Sequence, residues 1–225
     1  MSLINKQTLS EQIYQILRQD ILTQKIKCGE KLTLKVLKER FNVSQTPIRE
    51  ALTRLVDDHL VVYYSNVGVT VVTFTPEEVK EIFEFSGDLD CIAIRYCLQK
   101  DNPDFFLELQ AICRDADQCL TEGDIAEWKQ YSDQFHLVFF KFAGNRWLER
   151  AANKMRAQLT LLSNLYQYSG NVEKIHQDHL HICSLLASDK IQEAIDAMRL
   201  HYQKDLAFAL EALTSEFAPD QISPS

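Results

Sequence analysis

Apolar residues recur at helical spacing along most of this chain, and the rhythm changes at one early place. Ile13, Ile16, Leu17, Ile21 and Leu22 share a stripe, which predicts a first helix capped by Thr8 or Ser10 and ending near Gln24. A basic turn containing Gly29 spans Lys25 to Lys31. Leu34, Leu37 and Phe41 predict a second helix behind a Thr33 cap. Asn42 closes it, being a residue type that tolerates the left-handed conformation at a helix end. Ile48, Ala51, Leu52 and Leu55 predict a third helix, capped by Ser44, with Pro47 in the first turn, where its missing N–H costs little. The period then shortens. Leu60–Tyr64 and Val67–Phe74 are β-branched and aromatic runs divided by Ser65-Asn66, with Gly68 close behind, and they predict a two-stranded hairpin.

From Thr75 onward the pattern is helical only. Six amphipathic segments follow, at about Pro76–Gln99, Pro103–Thr121, Ile125–Phe142, Arg146–Tyr168, Val172–Ala187 and Ile191–Glu216. Short turns separate them, among them Glu122-Gly123-Asp124, Gly144-Asn145 and Gly170-Asn171, so an antiparallel helical bundle is expected. The fold class is therefore mostly α: a winged head over residues 1–74, an all-helical body over 75–217, and a frayed tail over 218–225.

Two short helices, a tight turn and a hairpin make a winged helix-turn-helix, a device for placing one helix in the DNA major groove. The third helix turns Gln45, Thr46, Arg49 and Thr53 outward, small and polar groups plus one guanidinium that suit close approach to base edges. A net charge of −8 runs against that reading until it is divided. The first 72 residues hold ten basic and seven acidic side chains, a surplus of three positive charges, which leaves −11 on the remainder. No apolar run reaches the roughly 20 residues that span a bilayer, and the N-terminus lacks a secretory pattern, so a cytoplasmic protein is expected. The six cysteines form no C-x-x-C pair and are expected to be reduced, buried hydrophobes.

The segment from Gly29 to Val72 resembles the DNA-binding domain of the GntR family of bacterial transcription regulators. The residues that carry the resemblance are Gly29, Leu32, Leu37, the run Val43-Ser44-Gln45-Thr46-Pro47-Ile48-Arg49-Glu50-Ala51-Leu52, and Leu55. It implies that Lys35, Ser44, Gln45, Thr46 and Arg49 face DNA, with Asn66 and Gly68 in the wing. Gln45 stands where the family usually has arginine, which shifts base preference from guanine toward adenine. His59 stands where the family usually has glycine.

Four of the six histidines fall late, at His176, His179, His181 and His201, and His136 lies on the third body helix. Several imidazoles on helices that must pack together point to a metal site. Residues 76–213 resemble the FCD-type ligand-binding domain of the FadR branch of GntR regulators, through Phe135-His136, Ala143-Gly144-Asn145, Asp178-His179, Ala194, Met198 and His201. That resemblance implies a divalent metal, zinc, nickel or manganese, held by His136, His179 and His201. The family's fourth ligand, an aspartate, is replaced by Ser132, and the neighbouring Asp133 either turns into the site or is solvated. His176 and His181 match no motif and are expected at the surface, as is the acidic pair Asp88 and Asp90. Ser86 and Asp90 occupy the positions of a family arginine and glutamate.

The expected function is a dimeric DNA-binding regulator, a repressor, whose grip on a double-stranded operator changes when a small carboxylate binds the metal-containing body. The expectation is that it is not an enzyme and has no membrane partner. The competing readings are a metal-dependent hydrolase or lyase built on the histidines, and a constitutive DNA-binding protein whose body only dimerises.

Overall fold

A computed structural model describes residues 7–64, 68–100, 102–165 and 172–216, with side chains through 213. The wing tip with Asn66, the turn at Gly170-Asn171 and the tail at 218–225 lie outside the described residues. Among those described, the order is α1 (Leu9–Leu22), β1 (Lys31–Leu32), α2 (Leu34–Phe41), α3 (Gln45–Asp57), β2 (Val61–Tyr64) and β3 (Gly68–Val71). Then come α4 (Pro76–Leu98), α5 (Pro103–Glu122), α6 (Ile125–Ala143), α7 (Arg146–Leu165), α8 (Val172–Ala187) and α9 (Ile191–Glu216). The fold is mostly α, as the periodicity predicts. Among the described residues no helix is long and apolar enough to cross a membrane.

The chain divides into two compact units. The first comprises Met1–Thr75 together with Ala157–Leu165, the last part of α7; the second comprises Pro76–Arg156 and Tyr166–Ser225. The first unit thus takes in a segment that a split of the chain at one point leaves out. Ala157 and Leu161 belong to the same buried core as Leu17, Ile21, Leu37, Ile48, Leu55 and Leu60.

Within the first unit, the Thr8 side chain accepts the Glu11 N–H to start α1, and Thr33 accepts the Val36 N–H to start α2. Asn42 closes α2 in the left-handed conformation at φ 51°. Ser44 holds the N-cap position of α3 in an extended conformation, but its hydroxyl makes no capping bond. The reason lies three residues on. A cap oxygen accepts from the second or third helical N–H, and the third helical residue here is Pro47, which has none.

The hairpin is shorter than its apolar runs and belongs to a three-stranded sheet in the order β1-β3-β2. β2 and β3 pair antiparallel from Val61↔Val71 to Tyr64↔Gly68. The added strand β1 pairs Lys31 with Thr70 and Leu32 with Val69, which ties the end of the basic turn to the wing. Two residues are too few to show a period of two, so β1 left no pattern in the sequence. His59 adopts the left-handed conformation, φ 56°, where the family carries glycine.

In the second unit α4 packs on α9 and α6, α5 packs on α6 and α8, and α8 packs on α9. Two-residue turns join α5 to α6 and α6 to α7, and three residues join α8 to α9. Phe105, Phe135 and Phe139 fill the interior, with ring centroids 5.9 Å apart for Phe105–Phe139 and 5.4 Å apart for Phe135–Phe139.

Candidate nucleic-acid interface and metal centre

The buried stripe of α3, Ile48, Ala51, Leu52 and Leu55, fixes which face of the helix is left to solvent. Ser44, Gln45, Thr46 and Arg49 are all exposed at its N-terminal end, and Lys35 is exposed on α2. The basic residues of this unit divide into two groups. Arg40 and Lys25 pair with the buried Asp20, and Arg54 pairs with Glu11 while lying over the Tyr14 ring, 3.9 Å from its centroid. Arg49 and Lys35 make no side-chain hydrogen bond or ion pair among the described residues, so their charges are available to a ligand. Gly68 opens β3 at φ +98°, a conformation that glycine adopts without strain, and is half-buried.

The second candidate lies inside the helical unit. His136 on α6, His179 on α8 and His201 on α9 are all buried, and one ligand atom of each lies within 4.8 Å of the others. Their ring centroids are 5.1 Å apart for His136–His179, 4.9 Å for His179–His201 and 5.4 Å for His136–His201. Phe135 stacks on His179 at 3.9 Å and fixes the plane of that ring. Burial, reinforced by neighbouring positive groups, holds the pKa of His136 and His179 well below the usual imidazole value, so both are neutral and carry a lone pair. Among the described residues His179 Nε2 is buried without a hydrogen-bond partner, and His201 Nδ1 and Nε2 lie only at the longer distances of 3.8 Å from Asp178 Oδ2 and 3.7 Å from Asp205 Oδ2. Orphaned nitrogens are costly in a packed core and are satisfied when they ligate a metal. The donor set therefore fits a divalent ion.

Asp90 completes this centre from α4. Its Oδ2 lies 2.5 Å from His136 Nδ1 and also accepts the Tyr202 hydroxyl at 3.0 Å. With Nδ1–H donating to the carboxylate, Nε2 of His136 is the nitrogen left to ligate, the carboxylate–histidine–metal arrangement. Burial pushes the Asp90 carboxyl up to about 7, with Arg156, Tyr202 and His201 opposing the shift. Gly87 makes room for this network: a Cβ there would lie 3.1–3.3 Å from Cβ, Cγ and Cδ2 of Tyr202, so a larger residue would push that side chain aside by a few tenths of an ångström.

Two expectations are corrected here, for Asp90 and His176, and one of the two alternatives for Asp133 is ruled out. Asp90 is buried, not part of a solvated acidic pair, and only Asp88 is exposed. Asp133 does not turn into the histidine cluster; it pairs with Arg156 at 3.3 Å. His176 is buried rather than at the surface, with Nε2 3.3 Å from Asp117 Oδ1, outside the three-histidine cluster. His181 is exposed, as expected. The signal for Asp90 was present in the pattern. It falls in the buried stripe Phe83, Ser86, Gly87, Asp90, Ala93, Ile94 and Cys97, where a charge needs a partner.

Two further features border the centre. Arg156 reaches Tyr202 Oη at 3.4 Å, yet its Nε is buried without a partner. A cavity of about 280 Å³ between α4 and α9 is lined by Phe83, Gly87, Asp88, Arg199 and Tyr202, among others, so Tyr202 belongs both to its wall and to the Asp90 network.

Comparison with known proteins agrees with this layout. Residues 9–71 match bacterial regulatory proteins of the gntR family, and residues 81–204 match the FCD domain. The chain is 25% identical over 202 residues to the Nta operon transcriptional regulator of Aminobacter aminovorans, covering 87% of this chain and 94% of that one. It is 22% identical over 213 residues to the transcriptional repressor GlaR of Escherichia coli, covering 89% and 95%. In fold it is similar to E. coli McbR/YncC, with a TM-score of 0.75 at 19% identity over 91% of this chain and 98% of that one. A putative GntR regulator from Rhodococcus sp. RHA1 gives a TM-score of 0.73 at 18% identity over 90% and 98%. With a gntR-type head and an FCD domain over more than half its length, the chain belongs to the GntR family of bacterial transcription regulators.

Proposed function

We propose that this chain is a homodimeric cytoplasmic repressor that binds a double-stranded operator through α3 and releases it when a small carboxylate binds beside a metal in the helical unit. The observation that carries the DNA-binding part is the exposed start of α3, where Arg49 has no side-chain partner among the described residues while Arg40 and Arg54 are consumed by internal pairs. Ser44, Gln45 and Thr46 then lie against base edges or phosphates, Lys35 supplies a phosphate contact, and Asn66 and Gly68 follow in the wing. A pseudo-palindromic operator matches two such heads.

His136, His179 and His201 would hold the ion, and three imidazole nitrogens favour zinc or nickel over manganese. When bound, a divalent ion supplies a fixed positive charge for an anionic effector. The buried Nε of Arg156, without a hydrogen-bond partner among the described residues, supports a carboxylate ligand, because it offers a charged N–H donor beyond the pair with Asp133. The relatives named above are regulators or repressors of transcription, and nothing among them favours a hydrolase or lyase.

The test is a mobility-shift titration on DNA upstream of the protein's own gene, comparing wild type with Arg49→Ala. Losing one base-reading arginine costs about 1–3 kcal/mol, so specific affinity should fall by about 5- to 150-fold with unchanged helical content by circular dichroism. An Arg49→Ala variant that binds as tightly and as selectively as wild type would overturn the assignment.

A further inference from the structure

We propose that Cys113 on α5 and Cys183 on α8 form a peroxide-reactive thiol pair, a site of reversible covalent modification that closes into a disulfide. Their sulfurs lie 2.9 Å apart, and a disulfide bond needs about 2.05 Å, so only a small side-chain adjustment separates the two states. All six cysteines are free thiols, and no other two are in sulfur contact among the described residues. Cys91 instead donates to the Ile195 carbonyl, and Cys28 accepts from the Gln24 amide. Burial raises the pKa of Cys28, Cys91, Cys97 and Cys119, which keeps those thiols unreactive.

The pair differs in two respects. Cys183 is half-buried, which puts the pair at the edge of the core, with Cys113 buried beneath it. The two sulfurs share one S–H···S hydrogen bond; with Cys183 as its donor, that bond holds the Cys113 thiol below its ordinary pKa against the effect of burial and raises that of Cys183. The Cys113 thiolate attacks one oxygen of hydrogen peroxide. The O–O bond breaks, a sulfenic acid forms on Cys113, and the departing hydroxide takes up the proton released by the thiol, giving water. The Cys183 sulfur then attacks Cys113 Sγ. The S–O bond breaks, and hydroxide leaves with the Cys183 proton as a second water. Two thiols are oxidised, one peroxide is reduced to two waters, and no other electron carrier is needed. Cellular thiols reverse the bond by exchange, so the dithiol is the resting state of a reducing compartment.

The bond has a defined mechanical effect. Cys183 lies one helical turn beyond His179 on α8, so oxidation ties the helix that carries this imidazole to α5. The chemistry does not depend on whether metal is bound.

Full-length protein treated with a small excess of hydrogen peroxide should lose two hydrogens in intact mass. Its free thiols should fall from the six in the sequence to four, and dithiothreitol should restore them. A digest under non-reducing conditions should contain a Cys113–Cys183 linked peptide. In Cys183→Ser, peroxide should leave Cys113 as a sulfenic acid that dimedone traps. Retention of six thiols, a disulfide joining other cysteines or two chains, or dimedone labelling elsewhere in that variant would overturn the proposal. The wild-type measurement decides it even if the variant folds poorly.

Discussion

Asp90 places a carboxylate in a helix face that is otherwise apolar, and its two neighbours show why it is tolerated there. His136 Nδ1 and the Tyr202 hydroxyl both converge on Oδ2, and Gly87 leaves space for the ring that brings the second of them. The family's aspartate on the α6 side is Ser132 in this chain, so the carboxylates beside the proposed ion would be Asp90 on α4, with Asp178 and Asp205 3.8 and 3.7 Å from the ring nitrogens of His201. Removing a carboxylate that orients a ligating histidine typically weakens metal binding by about 10–100-fold. Asp90→Ala should show that loss in a chelator-competition titration with zinc or nickel, and Asp90→Asn, which keeps an acceptor for Nδ1–H, should lose less. Wild-type affinity in both variants would mean that His136 is oriented without this carboxylate. At this scale the sequence was only partly legible. The three histidines could be named by position, but which carboxylate joins them depends on how α4 rotates against α6. Likewise His176, read as a surface residue, sits on the buried stripe of α8 one turn before His179.

Elements with a full stripe and a cap were readable, and those set by distant partners were not. α2 and α3 follow from Thr33, Asn42 and their apolar positions, because each helix is fixed within about one turn by local chemistry. β1 has two residues and no pattern, and it exists only because β3 offers it an edge. The last part of α7 is the sharper case. Its periodicity announces a helix, yet periodicity does not say which core receives Ala157 and Leu161, and both enter the core of the DNA-reading unit. Leu161 is fully buried there. Leu161→Ala should destabilise that unit by about 2–5 kcal/mol, the usual range for a cavity left by leucine in a packed interior. Urea unfolding followed by hydrogen exchange is the suitable measurement. Faster exchange in α1 and α3 than in α8 is expected, and exchange unchanged in α1 would show that the segment contributes nothing to the head's stability.

The whole molecule must reconcile a head with a surplus of only three positive charges with specific binding to a polyanion. Lys25, Arg40 and Arg54 are already paired with Asp20 and Glu11, so the head's small positive surplus is not all available to phosphate. Linking two heads raises the effective concentration of the second once the first has bound, which multiplies affinity by about 10²–10⁴ without a new contact. The proposed dimer would need a surface on the helical unit. Phe85, Ile92 and Tyr96 on α4 are 50%, 37% and 39% exposed, and their spacing of seven and four residues puts them on one face of the helix. A second copy of the same unit would cover this stripe symmetrically, as a two-fold operator requires. The double substitution Phe85→Glu/Tyr96→Glu should therefore shift sedimentation from dimer to monomer and weaken operator binding by about 10²-fold or more, while an isolated half-site is bound as before. The two readouts separate the causes. A monomer that keeps full operator affinity would show that the heads act singly. A dimer that survives both charges would place the pairing surface elsewhere on the helical unit. If both shift together, the acidic body sets the affinity of a head that is too weakly basic to hold its operator alone.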